Sequence, residues 1–159
     1  MQDQKILQKK FKGLTPEESA ELLELEKSVA LDEARPHITK NFLSFVKYVW
    51  PEFIEGSHHK IINKKFNDLA NGKIKRLIIN MPPRHTKSEF ASYLLPAWMI
   101  GKNPKLKIIQ ATHTADLAID FGRKTKNLVD DRNYQELFTT RLQEDSQAAG
   151  KWKTEQGGE

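Results

Sequence analysis

The sequence predicts an α/β fold, a parallel sheet with flanking helices behind an N-terminal helical arm, and three observations carry that prediction. The first is an apolar run, Leu77-Ile78-Ile79-Asn80, which passes through a polar turn into a helical pattern after Ser88. The second is another apolar run, Leu106-Lys107-Ile108-Ile109-Gln110-Ala111-Thr112, again followed by a helical pattern. Strand, helix, strand, helix at this spacing is the signature of a βαβ unit with right-handed crossovers. The third is Arg35-Pro36, where proline restricts the residue before it and should end a helix, separating an arm over 1–36 from a body over 37–159. A chain of 159 residues has material for one core and an appendage.

In chain order, residues 5–12 read as a short amphipathic helix closed by Gly13. Thr15-Pro16-Glu17-Glu18 opens the next helix: Thr15 caps it, Pro16 suits its first position, and Glu18 completes a capping box. That helix should run to about Ala34, with Leu22, Leu23, Leu25, Val29 and Leu31 as a narrow apolar stripe for docking on the body or on a neighbouring subunit; a solvated helix packed on its own domain fits the same stripe. From Thr39 to Trp50 the residues Phe42, Phe45, Val46, Val49 and Trp50 fall on one helical face and are read as core. Ser57 is placed as the cap of a helix ending near Asn71-Gly72, with Ile61, Ile62, Phe66 and Leu69 inward.

After Ser88 the pattern is apolar nearly all round to Gly101, and Pro96 should bend that helix because its ring clashes with the carbonyl four residues back. Thr114 caps a helix from Ala115 to about Val129, with Leu117, Ala118, Phe121, Leu128 and Val129 inward. A short helix over 134–138 follows, and then two strands, 142–146 and 151–154, around Gly150.

The turn after the first run, Met81-Pro82-Pro83-Arg84-His85-Thr86-Lys87-Ser88, carries the chemistry. A strand that hands over to a helix leaves the first helical N–H groups unpaired, and those donors with the helix dipole attract a polyphosphate. In the pattern G-x-x-x-x-G-K-[ST] the lysine reaches the β/γ-phosphates and the hydroxyl ligates Mg²⁺, roles that fall to Lys87 and Ser88. Met81 and Thr86 occupy both glycine positions, and a β-branched residue at the second resists the backbone conformation that glycine permits there. An ordinary strand-to-helix connection fits the bare pattern too.

Over a longer span, 74–89 resembles the Walker A region of the large terminase subunit of tailed bacteriophages, whose loop often reads Pro-Pro-Arg-His-Gly-Lys-Ser; within it Thr86 is the single mismatch. The similarity continues through Gln110-Ala111-Thr112-His113, Asp120-Phe121-Gly122-Arg123-Lys124, 142–150 and Gln156-Gly157-Gly158-Glu159, so it covers roughly 40–159. It implies a P-loop NTPase-type ATPase domain, incomplete in this chain, that couples ATP hydrolysis to movement of double-stranded viral DNA into the procapsid. ATP and Mg²⁺ are the implied cofactors. The small terminase subunit and the portal protein are the implied partners, in a homo-oligomer when full length.

By the same resemblance the backbone from Arg84 through His85 and Thr86 to Ser88 cradles phosphate oxygens, Lys87 neutralises them, and Ser88 holds the metal. Arg84 senses or stabilises the γ-phosphate, although an arginine packed along the loop accounts for it as well. His59, or failing that His58, stands where a polar residue contacts adenine. The acidic strand end, the catalytic glutamate and the nuclease domain would lie downstream of Glu159.

Composition narrows the setting. The absence of Cys excludes disulfides and thiolate metal sites and fits a reducing compartment, which the resemblance implies is the host cytoplasm, and no apolar run is long enough to cross a bilayer. Residues 1–36 hold six Lys/Arg against eight Asp/Glu, leaving 20 against 13 for 37–159, so the net charge of +5 resides in the body. A positive body suits nucleotide or DNA, and a solvated surface explains it equally. Arg123, Lys124 and Lys126 are read as a solvated cationic face, with contact to DNA or to a neighbour's phosphate as the sharper alternative. Two other functions stay open: a P-loop helicase fragment, and a non-catalytic DNA-binding or assembly module.

Overall fold

The computed structural model describes residues 14–148 and 150–159, so the short helix expected over 5–12 lies outside the described residues. The chain divides into two compact units, Met1–Pro36 and His37–Glu159. Helix α1 (Pro16–Lys40) opens on the expected reciprocal cap: Thr15 N–H donates to Glu18 Oε2 (2.8 Å) and Glu18 N–H to Thr15 Oγ1 (3.2 Å). It does not end near Ala34, because Arg35-Pro36 fails to break it and Pro36 lies inside it. A proline forfeits one helical bond, and here the turns that follow are closed by Asn41 N–H donating to His37 O at 3.1 Å. No residue of α1 is buried, and Leu25 and Val29 of the apolar stripe are exposed.

In the second unit, α2 (Phe42–Val49) is capped by Asn41, whose Oδ1 accepts from Ser44 N–H, and α3 (Ser57–Ala70) starts after Gly56 and stops at Asn71 and Gly72, the latter at φ 72°. Asn63 Oδ1 accepts from Leu43 N–H at 2.9 Å and ties α2 to α3. The helix after Ser88 is not uniform: a π-helical stretch, Glu89–Leu94, runs into α4 (Leu95–Lys102), and Leu95 N–H donates five residues back to Phe90 O. The cause is Pro96, which has no N–H to give the carbonyl of Ser92. Gln110 supplies the missing donor, its Nε2 reaching Ser92 O at 2.8 Å.

Helix α5 (Ala115–Val129) is capped by Thr114 and α6 (Arg132–Leu137) by Asp131. Strands β1 (Leu142–Ala148) and β2 (Lys151–Thr154) form an antiparallel hairpin in which Leu142 faces Thr154 and Ala148 faces Lys151, with an irregularity between. The hairpin is held to the helices by Trp152 Nε1 donating to Gly122 O (3.2 Å) and Thr154 Oγ1 to Pro104 O (2.6 Å).

The core is aromatic. Phe42, fully buried, meets Phe66, Phe90 and Trp98 edge-on at centroid distances of 5.0, 5.3 and 5.6 Å. Trp98 Nε1 donates to Thr39 O (2.9 Å), and Tyr134 Oη to Ala97 O (2.8 Å). Burial pushes the Tyr134 phenol well above its ordinary range, so it stays a neutral donor.

The parallel sheet of the predicted α/β fold is absent among the described residues, which are mostly helical with the one antiparallel hairpin. Neither 77–80 nor 106–112 is a strand, and Ile78 and Ile109 are 87% and 97% exposed. A strand is defined by a neighbour on which its N–H and C=O groups are spent, and an apolar run does not specify that neighbour. A single pair of bonds has the parallel pattern: Glu159 N–H donates to Leu106 O (3.1 Å) and Ile108 N–H to Glu159 O (2.7 Å). No helix among the described residues is long and apolar enough to cross a membrane.

Candidate functional site

Residues 81–88 form the turn between the irregular 77–80 segment and the helix that starts at Lys87. The first helical bond runs from Phe90 N–H to Thr86 O (2.9 Å), which leaves the N–H groups of Thr86, Lys87, Ser88 and Glu89 outside the helical ladder. Among the described residues, nothing else accepts from them. Arg84 and Thr86 are both left-handed, at φ 62° and 60°, with His85 between them at ordinary φ. Alternation of this kind turns successive N–H groups toward one side and makes an anion-binding concavity.

A concavity of about 400 Å³ lies at this turn, lined by Arg84, Thr86, Lys87 and Ser88 beside Met81 and the two prolines. Arg84, Lys87 and Ser88 are exposed, so their polar atoms are accessible to a ligand. Pro82 and Pro83 have no N–H to contribute, and Pro83 O accepts from His85 Nδ1 at 2.8 Å. One nitrogen of the His85 imidazole is thereby spent on the loop's own backbone. Glu89, the carboxylate of the lining, is paired with Lys124 Nζ at 3.0 Å, a link that fastens the start of the helix to α5.

Thr86 is the most constrained residue of the loop. A β-branched side chain at φ 60° is a backbone outlier, held only where its surroundings over-determine it. Here the determinant is a chain of hydrogen bonds from α3. Gly56 N–H donates to His59 Nδ1 (2.8 Å), which fixes the tautomer, so His59 Nε2–H donates to Thr86 Oγ1 (2.8 Å), and Thr86 Oγ1 in turn donates to His85 O (2.6 Å).

His59 is buried against Phe53 and Phe90, at ring distances of 4.7 and 5.0 Å. Burial first, and the neighbouring His58 second, hold its pKa below the ordinary imidazole value, with Glu55 opposing. The adenine contact expected of His59 is therefore not available in this arrangement, since both ring nitrogens are engaged within the protein. His58, the alternative, is half-buried and lies tilted against His59 with ring centres 3.8 Å apart, and its Nε2 is buried without a hydrogen-bond partner.

The other motif residues serve attachment. Asp120 pairs with Arg123 (3.3 Å), Phe121 is buried, Gly122 O receives the Trp152 indole, and Lys124 takes Glu89, so Arg123 and Lys124 are not free cations. His113 is exposed. No group of three or more His, Asp or Glu among the described residues is arranged to hold a metal ion. Compared with models of protein families, with characterised proteins and with solved structures, the chain finds no match.

Proposed function

We propose that the loop over 81–89 binds the phosphates of ATP with Mg²⁺, and that the chain is the nucleotide-binding part of an ATP-driven DNA-packaging motor of the terminase type. One observation carries the reading: left-handed Arg84 and Thr86 bracket His85 immediately before a helix whose first N–H groups are unspent, in a concavity lined by Lys87 and Ser88. The resemblance of 74–89 to a Walker A region supplies the identity of the motor.

In this reading the N–H groups of His85–Ser88 cradle bridging and non-bridging oxygens, Lys87 neutralises the β/γ charge, and Ser88 Oγ is the protein's ligand to the metal. Arg84, which is exposed and lines the concavity, meets the γ-phosphate in this reading with a two-pronged contact. Bound ATP supplies the phosphoanhydride bond whose hydrolysis drives translocation. Turning water onto that bond needs a carboxylate not already engaged, and Glu89 is committed to Lys124. The 159-residue polypeptide should accordingly bind ATP and turn it over negligibly.

The test is calorimetric titration of Mg·ATP into the wild type and Lys87→Ala. Binding that Lys87→Ala weakens tenfold or more, roughly the worth of one charge-assisted contact, supports the proposal. Affinity unchanged by the substitution overturns it. The cationic body favours a second reading, a DNA-binding module, which predicts salt-dependent DNA binding indifferent to nucleotide.

A further inference from the structure

We propose that His59 is a positioning residue for the phosphate loop: from the first turn of α3 it holds Thr86 in the left-handed conformation that the loop's anion cup requires. The inference rests on the phosphate-binding reading and extends it to a residue that touches no ligand. A glycine at position 86 would adopt φ 60° without help, whereas threonine strongly disfavours it, and the strain lies where a ligand's oxygens would sit. Something outside the loop must hold that conformation. The relay Gly56 N–H to His59 Nδ1, His59 Nε2–H to Thr86 Oγ1, and Thr86 Oγ1–H to His85 O fixes the Thr86 hydroxyl as acceptor and as donor.

The relay works only with a neutral imidazole. A proton on Nδ1 would face the Gly56 N–H and break the first link. The groups around the ring agree with the neutral state: Phe53 and Phe90 pack against it, His58 and His85 oppose a positive charge, and Glu55 alone favours one while also serving Lys47 and Lys60. Gly56 is suited to its position, since a Cβ there would stand 2.9 Å from the His58 ring. Substituting Gly56 would disturb the same relay from its far end.

The experiment is a double-mutant cycle in Mg·ATP affinity: wild type, His59→Ala, Thr86→Gly and the double variant. His59→Ala should weaken binding about tenfold beside Thr86, the scale of left-handed strain, and about twofold or less beside glycine, which needs no support. Equal losses in both backgrounds, or none in either, overturn the inference. If the wild type binds no ATP, the phosphate-binding reading fails, and the relay is judged by imidazole ¹⁵N spectra alone. An Nε2–H tautomer of His59 whose exchange protection disappears in Thr86→Val sustains the positioning role. An Nδ1–H tautomer, or a ring indifferent to Thr86→Val, refutes it.

Discussion

Substitutions at Thr86 separate strain from hydrogen bonding, because the two act on stability with opposite signs. Thr86→Val keeps the β-branch, and with it the cost of φ 60°, but deletes the hydroxyl that accepts from His59 Nε2–H and donates to His85 O. His59 is buried, so the orphaned Nε2–H costs about 1–3 kcal/mol. Thr86→Gly deletes the same hydroxyl and relieves about 1–2 kcal/mol of left-handed strain, offset by roughly 0.5–1 kcal/mol of extra unfolded-state entropy. The order of stability should therefore be wild type, then Thr86→Gly, then Thr86→Val, with valine about 1–3 kcal/mol below the wild type. Urea denaturation followed by tryptophan fluorescence reads this as a lower midpoint at unchanged slope. A valine variant as stable as the wild type would show that the hydroxyl contributes nothing and that the bond chain does not hold the loop.

Three further outcomes follow from the same contacts. Gln110→Leu should destabilise by about 1–3 kcal/mol, because the Ser92 carbonyl cannot bond Pro96 and loses its substitute donor; a thermal scan showing no loss would mean water replaces the amide. The neutral His59 makes stability depend on pH: its folded pKa lies below the unfolded value of about 6.5, so the stabilisation is complete above that value and is lost as pH falls through 6.5 toward the folded pKa. Urea midpoints at pH 8 and 5.5 should differ in the wild type and differ less in His59→Ala, and an equal midpoint difference in both proteins would exclude the histidine as the source. Phe42→Ala, which empties the centre of the aromatic cluster, should cost about 3–5 kcal/mol in calorimetric unfolding, and a cost under about 1 kcal/mol would mean that the cluster refills the space.

The parts of this molecule legible in its sequence are those fixed by neighbours along the chain. Thr15 with Glu18, Thr114, the helical end at Asn71-Gly72 and the two strands around Gly150 each depend on residues only a few positions apart, and all are present. The 77–80 and 106–112 segments show the opposite case. Their composition is that of strands, yet strand identity lies in a pairing that neither run encodes, and Ile78 and Ile109 face solvent. Pro36 marks the division between the two compact units but does not end the helix: the bond it removes is one of many, and the turns beyond it are closed by His37 and Asn41.

At the site, the motif located the loop but not what controls it. The long-range contacts that fasten the loop and the helix after it are His59 with Thr86, Gln110 with Ser92, and Lys124 with Glu89, separated by 27, 18 and 35 positions. None leaves a periodic trace. Each nevertheless answers a demand that local chemistry announces: Pro96 orphans the Ser92 carbonyl, and threonine in place of glycine at 86 requires an outside hold on the backbone. A proline inside a helix, or a β-branched residue at a left-handed position, thus marks a place where a distant side chain can answer. Folding then selects which side chain answers, and in this protein those side chains are Gln110 and His59.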